Sequence, residues 1–224
     1  GSYPGRSEYG PNGGSVDSQA SEAMRADLAR QVFNVDGNGV NVCVLSDSFN
    51  FHGNASLDSK SGDLPPLDEL DIVRDLLPAE GPGIDEGRAM MQLIHDVAPG
   101  ATLGFHSAFT GLSAFAEAIL IMGEQRDCHI LVDDVSYLTA SMYQDGELAQ
   151  AIDQVVSRGV AYFNSAGNNA RRAYEDAFSA GSTLNLGLQQ YLAHQFSPGK
   201  DYLRILYEGD DGTGPATIAL HWAD

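Results

Sequence analysis

The 224-residue sequence predicts an α/β fold: a parallel sheet with helices on both faces, joined to a C-terminal antiparallel β-rich insertion or partial second domain. Three observations point there. Apolar runs at 40–45, 101–108, 129–137 and 160–164 have the length and β-branched content of strands. Between them, 84–97, 110–125 and 145–157 carry apolar residues at helical spacing, so strand and helix alternate. Beyond Ala170 the texture changes to short alternating runs parted by glycine- and aspartate-rich turns, the pattern of antiparallel strands. The boundaries follow: an arm at 1–17, the α/β body at 18–170 and the β-rich part at 171–224.

Residues 1–17 are rich in Gly, Ser, Pro and Asn, have little to bury, and read as a flexible arm. Residues 18–33 read as one amphipathic helix with Ala23, Met24, Leu28 and Val32 as its apolar stripe and Ser18 or Ser21 as its cap. A turn at Asp36-Gly37-Asn38-Gly39 leads into a buried strand at 40–45, and Ser46-Asp47-Ser48 stands at its C-terminal end. Residues 50–70 are loop-like, and 70–77 fit an edge strand or a helical turn. The helix opening at Asp85-Glu86 turns Ala89, Met90, Leu93, Ile94 and Val97 inward and stops at Pro99-Gly100. Leu112, Phe115, Ala116, Ile119 and Leu120 face the core from the next helix. Leu148, Ile152, Val155 and Val156 do so from the one after, which Gly159 caps. Residues 202–207 and 217–222 are strand candidates in the last part.

The formal net charge of −19 excludes nucleic acid as a partner, because binding it needs a basic face. No apolar run approaches membrane-spanning length. Cys43 and Cys128 read as two buried or half-buried thiols in preference to a disulfide, and no CxxC or Cys/His cluster suggests zinc. Gly1-Ser2 reads as an expression scar, so a removed leader fits a secreted or cell-surface protein.

Glu86 falls on the first turn of its helix, just past Gly81-Pro82-Gly83. A helix N-terminus stabilises a carboxylate, and a doubly wound sheet places its chemistry at such junctions. Asp47, at the end of the first strand, reads by itself as a turn aspartate capping the next segment. One of Asp133 and Asp134 reads as a substitute acid for Glu86 or as a ligand for an amine; in the other reading one faces solvent and the other caps a loop. His95 lies nine residues after Glu86, on the opposite side of the helix, and reads as a core or surface histidine. His52 and His106 have no motif around them.

The stretch from Glu86-Gly87 to Pro99-Gly100 resembles the subtilisin-like serine peptidases. There a catalytic histidine followed by glycine opens a helix that ends in a V-A-P-G-A type segment. Glu86 stands thirteen positions before Pro99, a spacing similar to that family's, with glutamate in place of histidine. The replacement is similar to the sedolisins, acid-acting relatives with a Ser-Glu-Asp triad on the same fold. The sedolisin aspartate four residues after the glutamate is Met90 here. The spacing selects Glu86 and leaves Asp85 as its solvated neighbour.

Residues 39–48 resemble the subtilase strand that ends in the catalytic aspartate, with Asp47 one residue late. A bulge would re-aim it; without one, strand alternation points it to the other side. Residues 162–168 resemble the strand ending in [SA]-A-G-N, so the resemblance implies that the Asn168 amide donates to the oxyanion, where sedolisins carry aspartate. Residues 132–137 fall where subtilases pair with the substrate backbone, which implies substrate contacts from Asp134, Ser136 and Tyr137.

The resemblance spans about residues 39–169 and implies hydrolysis of peptide bonds in a protein or peptide substrate. A serine attacks, Glu86 takes its proton, Asp47 orients or shares charge with Glu86, and Asn168 holds the oxyanion. No cofactor is required; calcium is compatible with the acidity and the family, without ligands to name. The G-T-S-x-x-x-P nucleophile motif is absent, and Gly212-Thr213-Gly214-Pro215 has glycine at the serine position. The nucleophile is therefore expected beyond this chain, which alone is expected to be inactive. The alternative is a catalytically inactive peptide-binding or interaction module on the same fold. A nucleotide-binding domain fits less well, since no glycine-rich loop follows the first strand.

Overall fold

The computed structural model describes residues 14–170, 172–203 and 217–221. The first part comprises α1 (Gln19–Ala23), α2 (Ala26–Phe33), β1 (Asn41–Ser46), α3 (Ala55–Ser61), β2 (Asp71–Arg74), α4 (Glu86–Val97) and β3 (Thr102–Ser107). It continues with α5 (Leu112–Leu120), which runs into a π-helical turn (Ile121–Gln125), then β4 (Ile130–Asp133), α6 (Glu147–Ser157) and β5 (Ala161–Asn164). These five strands form one parallel sheet in the order β2-β3-β1-β4-β5. A separate antiparallel pair, β6 (Ala180–Leu186) and β7 (Gln189–His194), follows. The class is the α/β fold that the strand–helix alternation predicts.

The chain divides into two compact units, the second being Asn168–Leu220. In the second unit the β6–β7 hairpin turns at Gly187, whose φ of +65° suits glycine. Tyr202, Leu203 and residues 217–221 lie outside strands, and the rest of both predicted runs, with Gly212-Thr213-Gly214-Pro215, falls outside the described residues. So does the predicted arm up to residue 13. The end of that arm is docked: Ser15 Oγ and Val16 N donate to the Asp63 carboxylate at 2.9 and 2.8 Å.

Each face of the parallel sheet has its own core. Cys43, Leu45 and Leu131 meet α5 and α6 through Phe115, Ile119, Met122 and Val155. On the other face Val42, Val44, Leu103 and Phe105 pack with Met91, Phe49 and Leu64. Burying each large side chain contributes about 1.5–3 kcal/mol.

Four readings are corrected. Cys43 and Cys128 form a disulfide, with Cα atoms 5.9 Å apart. β1 pairs with β4 from Val42↔Ile130 onward, and Cys128, two residues ahead of β4, reaches the Cys43 side chain from the segment that follows the π-helical turn. A sequence separation of 85 conceals that neighbourhood. In the chain-entropy account such a closure is worth about 4–5 kcal/mol.

The inward face of α4 is also rotated from the predicted stripe: Gly87, Arg88, Met91 and His95 are buried, Met90 and Ile94 are half-buried, and Leu93 is exposed. Gly87 explains the rotation. A Cβ there would lie 2.3 Å from Phe105 Cε2 and 2.9 Å from Ser48 O, so this turn sits directly on the sheet. Counting apolar residues misses a face built from glycine, a paired arginine and a histidine.

The predicted helix 18–33 is two helices, broken where Arg25 takes φ 58°. Its supposed apolar stripe is exposed, with Met24 at 70%, Leu28 at 44% and Val32 at 60%. The docking is polar instead. Arg30 Nη1 donates to Asp96 O and Val97 O at 3.0 and 2.6 Å, satisfying orphan carbonyls at the end of α4. The loop-like stretch 50–70 contains α3, a polar helix whose one buried residue is Ala55.

Candidate functional site

The connection from β1 leads to β2, on the far side of β3, while that from β4 leads to β5 in the opposite direction along the sheet. Their C-terminal ends therefore flank the topological switch point, where open α/β sheets form a crevice. Ser46-Asp47-Ser48 lies on one side and Asp133-Asp134 on the other.

Asp47 is 2% exposed and lies past the last ladder pair, Ser46↔Ser107. The β1–β3 register is unbroken, so no bulge re-aims it; the chain turns after the ladder ends. Asp47 Oδ1 accepts from Glu86 N at 2.9 Å and Gly87 N at 3.3 Å. Oδ2 accepts from Ile84 N and from Ser48 Oγ, the latter at 2.9 Å. Asp47 is thus a capping aspartate, as one of its two readings has it, but the helix it caps is α4, which presents Glu86, and not the next segment.

The expectation that Asp85 is the solvated acid is reversed. Asp85 is buried and Glu86 exposed. Asp85 Oδ1 accepts from Phe51 N at 2.6 Å, and Oδ2 from His52 N at 3.1 Å and Arg88 Nη1 at 2.8 Å. Burial would raise its carboxyl, but the two amides and Arg88 outweigh that and hold it below its ordinary value. The spacing that selects Glu86 says nothing about which of two adjacent acids finds partners.

Glu86 opens α4 with its backbone held by Asp47 and its side chain exposed. Asp134 follows the last residue of β4. Ser46 Oγ donates to Asp134 Oδ2 at 3.1 Å, and Oδ1 is buried with no hydrogen-bond partner among the described residues. Its carboxyl is pushed up to about 6, by burial first and then by the charges of Glu86 and Asp47, against the Ser46 hydrogen bond. Three carboxylates therefore act on one another at the switch point, one capped, one exposed and one half-buried and inclined to keep its proton.

Asp133 points to the opposite face. It is fully buried, accepts from Val135 N at 3.1 Å and from the Asn164 side-chain amide, and has the Tyr162 hydroxyl beside it. Burial pushes both Asp133 and Tyr162 up, so each favours its neutral form. Alternation along β4 separates these two adjacent acids onto the two faces, which leaves Asp134 as Glu86's neighbour.

Ser136 is exposed, with its hydroxyl 3.7 Å from a Cβ built at Gly167. Tyr137 donates its hydroxyl to Ala108 O at 2.6 Å and accepts from Gly111 N at 3.1 Å, so its polar end is used inside the fold. Asn168 is exposed and is the first residue of the second unit. Thus Asp47, Glu86 and Asp134 come together within the first unit. His95 is buried with Nδ1 unpartnered among the described residues, and burial lowers it against Asp96 and Asp63. His106 is buried at β3, its Nδ1 2.8 Å from Ser107 O. Ser46 and Ser48 were not singled out individually from sequence; their flanking of Asp47 was the available signal.

Among the described residues no group of three or more His, Cys, Asp or Glu could hold a metal ion, and no helix is long and apolar enough to cross a membrane. Scanned against models of known protein families the chain matches none, and a search of curated proteins also finds no match.

Proposed function

We propose that this chain carries the acid–base part of a serine peptidase of the subtilisin and sedolisin kind, with Glu86 as general base. The observation that carries the reading is the pairing of an exposed Glu86, on a capped helix N-terminus at the switch point, with a half-buried Asp134 that feels its charge. In this reading a serine from outside residues 1–224 attacks the peptide carbonyl and its proton passes to Glu86. Glu86 then returns the proton to the leaving amine, and water hydrolyses the acyl-enzyme by the same relay. Asp134 keeps its own proton below about pH 6 and then adds no second charge beside Glu86, so activity is expected to peak on the acid side of that value. Asp134, Ser136 and Tyr137 border the extended segment against which a peptide would lie. The buried disulfide supports an oxidising, extracytoplasmic location.

The test is peptide hydrolysis from pH 3 to 9 by the full natural protein, with Glu86→Gln in parallel. Hydrolysis with an acid optimum, reduced at least a hundredfold in Glu86→Gln, is expected. No hydrolysis at any pH by folded protein would favour the non-catalytic peptide-binding module.

A further inference from the structure

Asp85 is a buried charge at the site that the proposed reaction leaves without a task. Capping of α4 is carried by Asp47, reaching in from the end of β1. Asp85 itself has φ 59° and ψ 31°, a left-handed conformation that a non-glycine residue keeps only where its surroundings over-determine it. The surroundings do so here from both sides. Its N–H donates to Ser48 Oγ at 2.8 Å, and its carboxylate takes the Phe51 and His52 amides. Arg88, one turn on, closes the clamp: Nη1 lies 2.8 Å from Asp85 Oδ2 and 2.6 Å from Phe49 O, and Nε pairs with Asp58 Oδ2 at 2.8 Å.

The residue immediately before Glu86 is thus fixed through backbone and side chain together. We propose that Asp85 is a positioning residue: held by Ser48, Arg88 and the 51–52 amides, it sets the direction in which the Glu86 carboxylate leaves α4, beside Asp134. Its kinetic consequence rests on the peptidase reading; its geometric consequence does not.

Asp85→Asn separates the two. Asparagine tolerates the left-handed conformation but carries no charge for Arg88. Asp58→Asn is the control, removing the same charge from the other side of Arg88. In the full natural protein, Asp85→Asn should lower kcat on the order of a hundredfold with KM unchanged, while Asp58→Asn keeps wild-type kcat. A carboxyl-carbon NMR titration of Asp134 in the same proteins should move toward the ordinary aspartate range in Asp85→Asn, as in Glu86→Gln, and stay put in Asp58→Asn. An Asp134 titration in Asp85→Asn that matches wild type, or equal kcat losses in the two variants, would overturn the proposal. If the wild type hydrolyses no peptide, the peptidase reading falls, and the Asp134 titration alone decides the positioning.

Discussion

On the α5/α6 face of the sheet, Cys43, Leu45, Ile119, Leu131 and Val155 are apolar and wholly buried, and the disulfide ties β1 to the approach of β4. On the α4 face Val42, Val44, Leu103 and Phe105 form a second apolar core with Met91, Gly87 sits on Phe105, and the first turn of the helix is held in addition by Asp47, Asp85 and Ser48. The apolar face is held by burial, which is non-directional and tolerates small shifts. The α4 face adds to its own apolar core hydrogen bonds and an ion pair, which fix direction. Glu86 grows from the second kind of surface. Both sides of the sheet thus carry burial, and the α4 side alone adds the directional contacts that place Glu86.

The largest test of that division is Asp85→Ala. It strips Arg88 of its most buried partner and should cost about 3–5 kcal/mol in urea unfolding. The matching change on the apolar face, Ile119→Ala, should cost about 2–5 kcal/mol by leaving a cavity. The division predicts that Asp85→Ala disturbs the Asp134 titration and Ile119→Ala does not, although both lose similar stability. If both disturb it, the faces are not separable.

Gly87→Ala is a smaller probe. The added methyl meets Phe105 and the Ser48 carbonyl, and lifting the first turn should cost about 1–3 kcal/mol. The same unfolding assay checks it, and a neutral result would mean that α4 can move off the sheet freely.

The smallest effect has the opposite sign. Asp134 binds its proton more tightly folded, at about 6, than unfolded, near 3.8. Its ionisation therefore lowers stability as pH rises through that window, and the term is absent below it. Asp134→Asn does not titrate. It should raise Tm at pH 7 and leave it unchanged at pH 3, provided that the amide oxygen still accepts from Ser46. Thermal denaturation at the two values checks both halves.

The parallel sheet was legible because its strands are continuous apolar runs and its helices intervene at regular intervals. Asp47 and Glu86 were legible because strand ends and helix starts can be located in sequence. Three features were hidden for stated reasons. The disulfide depends on β4 lying beside β1, a neighbourhood set by strand order. The α4 face depends on Arg88 finding carboxylates on α3 and at Asp85, which hydropathy scores as surface. The roles of Asp85 and Glu86 depend on a left-handed residue that reverses which acid turns inward. Asp134's partnership with Ser46 required the β1–β4 register, whereas its face alone follows from alternation.

The coupling between Glu86 and Asp134 is the account's centre, and it can be measured without a nucleophile or a substrate. Carboxyl-carbon NMR would follow Asp134 from pH 3 to 9 in the wild-type chain and in Glu86→Gln. The account predicts a wild-type midpoint near 6 that falls when Glu86 loses its charge. A midpoint in the ordinary aspartate range, or one indifferent to Glu86→Gln, would contradict it.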